Sequence, residues 1–145
     1  MPQEFSVSAI VFRKNHIMKY LLIYRKPSEN FKENWDFPRG NVEQGENEIE
    51  TATREAKEET GLKDLSIIDG FREKINYFYR KDNNTIYKEV IFLLIETEQQ
   101  EQEVKLSAEH DDYKWLNFYE TLNLLTHKKS KEILKKADEF LKTHL

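Results

Sequence analysis

The segment from Gly40 to Leu62 constrains this chain more than any other part of its sequence. Its glutamates Glu55, Glu58 and Glu59 are spaced by three and four residues, so a helix places their carboxylates on one face. Like charges crowded together repel one another, and hard divalent cations such as Mg²⁺, which take oxygen ligands, relieve that repulsion. A glycine-rich loop before the helix lets backbone carbonyls approach the same ion. The segment therefore predicts a loop and a helix that share one cation site.

The same segment carries its own helix signals. Asn47 and Glu50 have the spacing of a capping box, and Gly61 stands where a helix commonly ends, so we predict a helix over residues 47–60. Arg54 lies elsewhere on the helix surface and can pair with Glu46, which would hold the loop against the helix. The apolar face that we expect to pack on a sheet consists of Ile49, Ala52 and Ala56.

Extended segments surround this helix, and helices follow them. The alternating or continuous apolar runs predict strands over residues 5–11, 20–24, 71–79, 87–96, 104–106 and 113–116. A turn is predicted at residues 82–84, and terminal helices are predicted over residues 118–125 and 130–145. This order of elements predicts one domain over residues 1–145, of an α+β or α/β/α layered type.

Composition excludes several classes of protein. The length of 145 residues suits one domain. The net charge of −4, from 23 basic and 27 acidic residues, is too mild for a nucleic-acid coat protein or a membrane-surface binder. The longest apolar run, residues 90–95, is too short to span a bilayer, and no signal peptide is apparent. The absence of cysteine suits a reducing compartment, so we expect a cytoplasmic protein. We also expect a monomer.

Acidic clusters on Lys/Glu-rich helices are often only solvated, and the three glutamates alone would favour that interpretation. The complete pattern over residues 40–62 changes it. This pattern resembles the Nudix box, in which a glycine, a glutamate, an Arg-Glu pair, a Glu-Glu pair and a second glycine stand at fixed spacings with two apolar residues. The fixed positions are occupied by Gly40, Glu46, Arg54, Glu55, Glu58, Glu59 and Gly61, and the apolar positions by Ala56 and Leu62.

The resemblance implies a Nudix hydrolase with the Nudix fold, an α/β/α sandwich with a mixed β-sheet and the box as a loop–helix–loop. In the family, the box carboxylates bind one or more Mg²⁺ or Mn²⁺ ions, which bridge phosphate oxygens and lower the pKa of an attacking water. By position, Glu58 and Glu59 are the expected principal ligands, together with the carbonyl of Gly40 or Arg39. Glu55 is expected to be a ligand or the base. Structural roles are implied for Glu46, Arg54 and Gly61.

The likeness extends over nearly the whole chain to the asymmetric diadenosine tetraphosphate hydrolases of the animal and archaeal type. It rests on residues 35–40, 67–71, 76–77, 88–91, 106–110 and 113–116. Carried over by position, Tyr77 and Tyr113 match aromatics that sandwich an adenine, and Lys88 and Arg39 match cations that hold the phosphate chain. Glu109 matches an acidic residue outside the box that completes the metal site or orients water.

Two positions depart from these relatives. Arg39 replaces their usual lysine but keeps the charge and offers a bidentate fork. Asn34 stands where they often have histidine before the tryptophan, so no acid role is expected there. Ordinary interpretations also apply: Tyr77 could pack in a core strand, Lys88 could be a surface lysine, and Trp115 rather than Tyr113 is expected in the core. Surface or packing roles are expected for His110, His127 and His144.

These features favour hydrolysis of diadenosine tetraphosphate, a dinucleoside polyphosphate, to ATP and AMP. The alternative within the same chemistry is removal of pyrophosphate from triphosphorylated RNA 5′ ends, or hydrolysis of another nucleoside polyphosphate. An inositol pyrophosphate is disfavoured because the Tyr77 and Tyr113 pair suits a base. A non-catalytic nucleotide sensor is disfavoured because a sensor has no need of every carboxylate in the box.

Overall fold

A mixed β-sheet forms the middle layer of the protein. The structure is a computed structural model that describes residues 1–29, 32–99 and 101–144. The strands in these ranges are β1 (Gln3–Arg13), β2 (Lys19–Arg25), β3 (Asn34–Asp36), β4 (Arg39–Asn41), β5 (Ser66–Ile67), β6 (Glu73–Lys81), β7 (Asn84–Glu96) and β8 (Asp112–Leu116). The helices are α1 (Glu48–Thr60), α2 (Phe118–Leu124) and α3 (Lys128–His144).

Strands β1 and β7 run side by side at the centre of this sheet. They pair in parallel from Gln3 opposite Tyr87 to Phe12 opposite Glu96, and the order across the sheet is β3-β2-β1-β7-β5. Strand β4 also pairs with β1, β6 with β7 and β8 with β2, each antiparallel. The centre is apolar on both faces, as expected for strands covered by helices on both sides.

Alternate residues of β1 belong to two apolar layers on opposite faces of the sheet. Ile10 and Phe12 belong to the layer under α3, which we call the α3 layer; it includes Tyr20, Leu22, Phe37, Val90, Phe92, Ile133, Leu134, Ala137 and Leu141. The other, which we call the α1 layer, includes Val7, Ala9, Val11, Leu21, Ala52, Ala56, Ile91, Leu93 and Trp115. The predicted α+β class and layered architecture are therefore confirmed.

The helix of the motif matches its sequence signals closely. Asn47 is the N-cap of α1: its side chain accepts a hydrogen bond from Glu50 N (2.8 Å), and its own N–H donates to the Glu50 carboxylate (3.0 Å). Gly61 follows the helix with φ +71°, a left-handed conformation that glycine adopts without strain. The turn between β6 and β7 is also as predicted, with positive φ at Asp82 and Asn83.

Several predictions at the level of elements were wrong. Ile49 does not pack on the sheet: it is 51% exposed and lines an open cleft with Phe5 and Val42, because it lies in the first turn of α1 beyond the covered part of β1. Residues 104–106 form no strand, because Lys105 N donates to Thr60 O (2.7 Å) at the end of α1 instead of to a neighbouring strand. Helix α3 begins at Lys128, and the predicted helix end at Leu145 lies outside the described residues. No helix in the described ranges has the length and apolarity needed to cross a membrane.

Candidate active site

The Glu55 side chain of helix α1 reaches strand β4 at Gly40. A Cβ atom added to Gly40 would overlap the carboxyl group of Glu55, so any side chain at this position would displace that carboxylate. Glu55 is a half-buried residue, and burial raises the pKa of its carboxyl group although the neighbouring Arg54 opposes the shift. The glycine of the motif is thus required by this contact.

Glu59, one turn further along α1, is almost fully enclosed. Its residue is 6% exposed, and one carboxylate oxygen accepts a hydrogen bond from the backbone N–H of Arg39 (2.8 Å). Burial raises the pKa of Glu59 to about 8; the bond from Arg39 N opposes this, while the charges of Glu55 and Glu109 add to it. Burial disfavours the ionised form of Glu59, and a cation beside it would favour that form.

The turn before β8 brings two further groups to Glu59. Ligand atoms of Glu59, Glu109 and His110 all lie within 4.8 Å of one another, and His110 Nε2 is 3.8 Å from Glu59 Oε2. Glu109 also forms an ion pair with Arg25 (2.8 Å). The sequence had given His110 only a surface or packing role. The sequence signal that could have placed His110 at the site was its position directly after Glu109.

Arg54 ties the motif together, and its predicted ion pair with Glu46 is present. Arg54 Nε donates to Glu46 (2.6 Å), and the two Nη atoms donate to the Glu55 carboxylate (2.7 Å) and to the carbonyl of Asn41 (3.0 Å). Arg54 lowers the pKa of Glu46 to about 2. Glu58 accepts from Arg54 at 3.2 Å, but its side chain is 56% exposed and faces solvent.

These groups fit a divalent cation. Two enclosed carboxylates, Glu55 and Glu59, lie beside β4, and Glu109 and His110 lie close to Glu59. The electrostatic cost of keeping the carboxylates charged falls when a cation is present. An oxygen-rich set of this kind suits Mg²⁺ or Mn²⁺.

The two predicted phosphate cations lie on the α3-layer face of the sheet, where each already has an anionic partner. Arg39 pairs with Asp36 (3.1 Å) and its guanidinium lies over the ring of Phe92, 5.7 Å from the centroid. Its Nε is buried with no hydrogen-bond partner among the described residues. Lys88 Nζ donates to Glu4 (3.3 Å) and to Asn41 Oδ1 (3.2 Å), and burial lowers the pKa of Lys88.

The structure does not bring Tyr77 and Tyr113 together. Tyr77 is opposite Lys88 in the β6–β7 ladder and packs against the α3 layer, with Lys129 Nζ 5.8 Å from its ring centroid. Tyr113 packs against the α1 layer, on the other face of the sheet. Trp115 is buried in the α1 layer, as expected, while Tyr113 stays partly exposed. The two rings thus pack against opposite faces of the sheet.

Comparisons with known proteins agree with this geometry. The model of the NUDIX domain matches residues 2–137. The bis(5′-nucleosyl)-tetraphosphatase [asymmetrical] of Mus musculus is 36% identical over 141 residues, 91% of each chain. The RNA pyrophosphohydrolase of Nitratiruptor sp. is 27% identical over 144 residues, 94% of this chain and 92% of the other. The crystal structure of a C. elegans Ap4A hydrolase binary complex superposes with TM-score 0.80 at 25% identity and covers 97% of this chain and 98% of that one.

Proposed function

The chain belongs to the Nudix family and is a Nudix hydrolase, and on that premise we propose that it hydrolyses diadenosine tetraphosphate to ATP and AMP with bound Mg²⁺. The observation that carries the choice of substrate is the likeness to the mouse asymmetrical tetraphosphatase over nine-tenths of both chains. The enclosed carboxylates beside Gly40 support the metal-dependent part of the proposal.

The proposal gives each acidic residue a task. Glu58, Glu59 and Glu109, with the carbonyl of Arg39 or Gly40, hold the metal. When bound, the metal neutralises phosphate oxygens and lowers the pKa of a water ligand. Glu55, whose carboxyl group has a pKa raised by burial, takes the proton of the attacking water. Arg54, Glu46 and Gly61 keep the loop and helix in position, which the contacts of Arg54 support.

Two cations and an aromatic ring bind the part of the substrate away from the metal. Arg39 and Lys88 bind the phosphate chain, and phosphate oxygens replace Asp36 and Glu4 as their partners. Tyr77 shares the face of Lys88 and stacks on one adenine. Stacking on an aromatic side chain contributes about 1–3 kcal/mol per base. Tyr113, predicted as the second ring of a clamp, lies on the other face, and mutagenesis tests its contact with the substrate.

Products formed in ¹⁸O-labelled water test this proposal directly. We expect AMP and ATP in equal amounts from diadenosine tetraphosphate, with the label in AMP, because attack at the phosphorus next to one adenosine leaves ATP as the departing group. Label only in ATP would place the attack on the other phosphorus of the same bond. Production of ADP alone would reject the asymmetric cut, and no turnover of the dinucleotide would reject the substrate.

An RNA 5′ end is the second candidate, favoured by the Nitratiruptor relative, whose likeness also spans nearly the whole chain. The net charge of −4 argues against it, because RNA binding draws on basic surfaces. Competition decides between the two. With equal concentrations of diadenosine tetraphosphate and 5′-triphosphorylated RNA, the proposal expects the dinucleotide to be consumed first; preferential release of pyrophosphate from RNA would reverse the assignment.

We also propose the oligomeric state and the cellular location of the enzyme. Residues 1–145 act as one Nudix hydrolase domain, as a monomer, in the cytoplasm, where a chain without cysteine gains nothing from an oxidising compartment. Sedimentation velocity at micromolar concentrations tests the monomer: one species near the mass of 17.5 kDa is expected. Fractionation of cells that express the chain tests the location.

A further inference from the structure

His110 is held with one ring nitrogen turned away from the carboxylates and the other towards them. Its Nδ1 lies 3.3 Å from the hydroxyl oxygen of Ser107, and its backbone N–H donates to the Ser107 carbonyl (3.2 Å), which closes a turn. Nε2 therefore faces Glu59. The imidazole is 8% exposed, so water has little access to it and its direction is fixed by the turn.

The contact between Nε2 and Glu59 is not a hydrogen bond. Their separation of 3.8 Å exceeds the length of N–H···O bonds, and in the described part of the chain no hydrogen bond to Nε2 occurs. Two ligands of one ion, each about 2.1 Å from it, lie about 3 to 4.2 Å apart as the angle between them opens from a right angle to a straight line. The observed separation falls in this range, and Glu109 lies within 4.8 Å of both.

We propose that His110 is a nitrogen ligand of the metal site, alongside Glu59 and Glu109, and that Ser107 orients its ring. This inference rests on the proposed metal-dependent function. Metal-bound histidines commonly donate their second ring N–H to a nearby oxygen, which fixes the tautomer, and the Ser107 hydroxyl is placed to accept it. A nitrogen ligand favours Mn²⁺, Co²⁺ and Zn²⁺ relative to Mg²⁺, which prefers oxygen. The site would therefore discriminate less against transition metals than an all-carboxylate site.

Pulsed electron paramagnetic resonance of bound Mn²⁺ tests this without any assay of activity. In the wild-type protein we expect nuclear modulation from a directly bound ¹⁴N, which changes to the ¹⁵N pattern when only the histidines are labelled. His110→Gln removes the modulation, whereas His16→Gln, at an exposed histidine in the β1–β2 connection at the opposite end of β2, leaves it. The isotope comparison needs no variant, so it holds even where His110→Gln folds poorly.

Binding titrations provide the second measurement. We expect His110→Gln to weaken Mn²⁺ about tenfold and Mg²⁺ less than about threefold, with Ser107→Ala between wild type and His110→Gln for Mn²⁺. Mn²⁺ that binds in a Glu59-dependent way without nitrogen modulation, or equal losses for both metals, would overturn the role of His110 and leave the metal-dependent function standing. Failure of Glu59→Gln to weaken either metal would overturn both.

Discussion

The proposed active site has two parts of opposite charge. The acidic part consists of Glu55, Glu59 and Glu109, and burial, with added repulsion between like charges, raises the pKa of the two enclosed glutamates Glu55 and Glu59. The cationic part, Arg39 and Lys88, is already neutralised by Asp36 and Glu4. A cation that binds the first part relieves an existing cost, whereas a phosphate that binds the second must displace an existing partner. Binding energy is therefore concentrated at the acidic part.

The largest test of this comparison is the removal of charge from the acidic part. We expect Glu59→Gln, or Glu58→Gln at the neighbouring solvent-facing glutamate of α1, to lower kcat by at least about a hundredfold, because each removes a charge that supports the transition state through the metal. Steady-state kinetics at saturating Mg²⁺ measures the loss. Lys57→Gln, on the exposed face of the same helix, is the matched control and should keep wild-type kcat. Activity near wild type in both glutamine variants would contradict the assignment of these glutamates as metal ligands.

The dependence of stability on pH tests the same part without substrate. The pKa of Glu59 is about 8 in the folded protein, against 4.5 for an ordinary glutamate, so the folded state holds a proton that the unfolded state has lost between these values. Stability should therefore fall as pH rises through this window. In EDTA we expect the melting temperature to drop by a few degrees from pH 6 to pH 9, and Glu59→Gln to flatten this slope relative to wild type. An equal slope in both proteins would show that Glu59 is ionised when folded.

The two parts also differ in how far the sequence could predict them. Helix α1, its caps and the Arg54–Glu46 pair depend on residues of one short segment, so spacing was sufficient. His110 reaches Glu59 only because the turn before β8 is carried to the site by the pairing of β8 with β2. Alternation shows which residues of one strand share a face. It does not show whether residues of two distant strands lie on the same face of the sheet. Tyr77 and Tyr113 were for this reason predicted together and found apart.

A pair of alanine variants sharpens this point about the faces. We expect Tyr77→Ala to raise KM for the dinucleotide roughly tenfold, because a stacking contact of about 1–2 kcal/mol is lost. Tyr113→Ala should mainly lower the melting temperature and change KM little, since its ring packs against the α1 layer. Kinetics and thermal melts of the same samples separate the two effects. A tenfold rise of KM in Tyr113→Ala alone would move the base to the opposite face.

The smallest effect that we expect concerns the competition at Lys88. Glu4 accepts hydrogen bonds from Lys88 (3.3 Å) and from the Tyr79 hydroxyl (2.6 Å), so Glu4→Gln should free the ammonium group for phosphate and lower KM about twofold to fivefold, the size expected for a weak ion pair.

Two further variants show whether this gain belongs to the Lys88–Glu4 pair. Tyr79→Phe, which removes only the other bond to Glu4, is the control and should change KM little. In the Lys88→Met background the effect of Glu4→Gln should vanish, because the cation whose partner was removed is no longer there. If Glu4→Gln lowers KM equally with and without Lys88, the gain comes from general loss of negative charge near the substrate. The cationic part would then not depend on release of this pair.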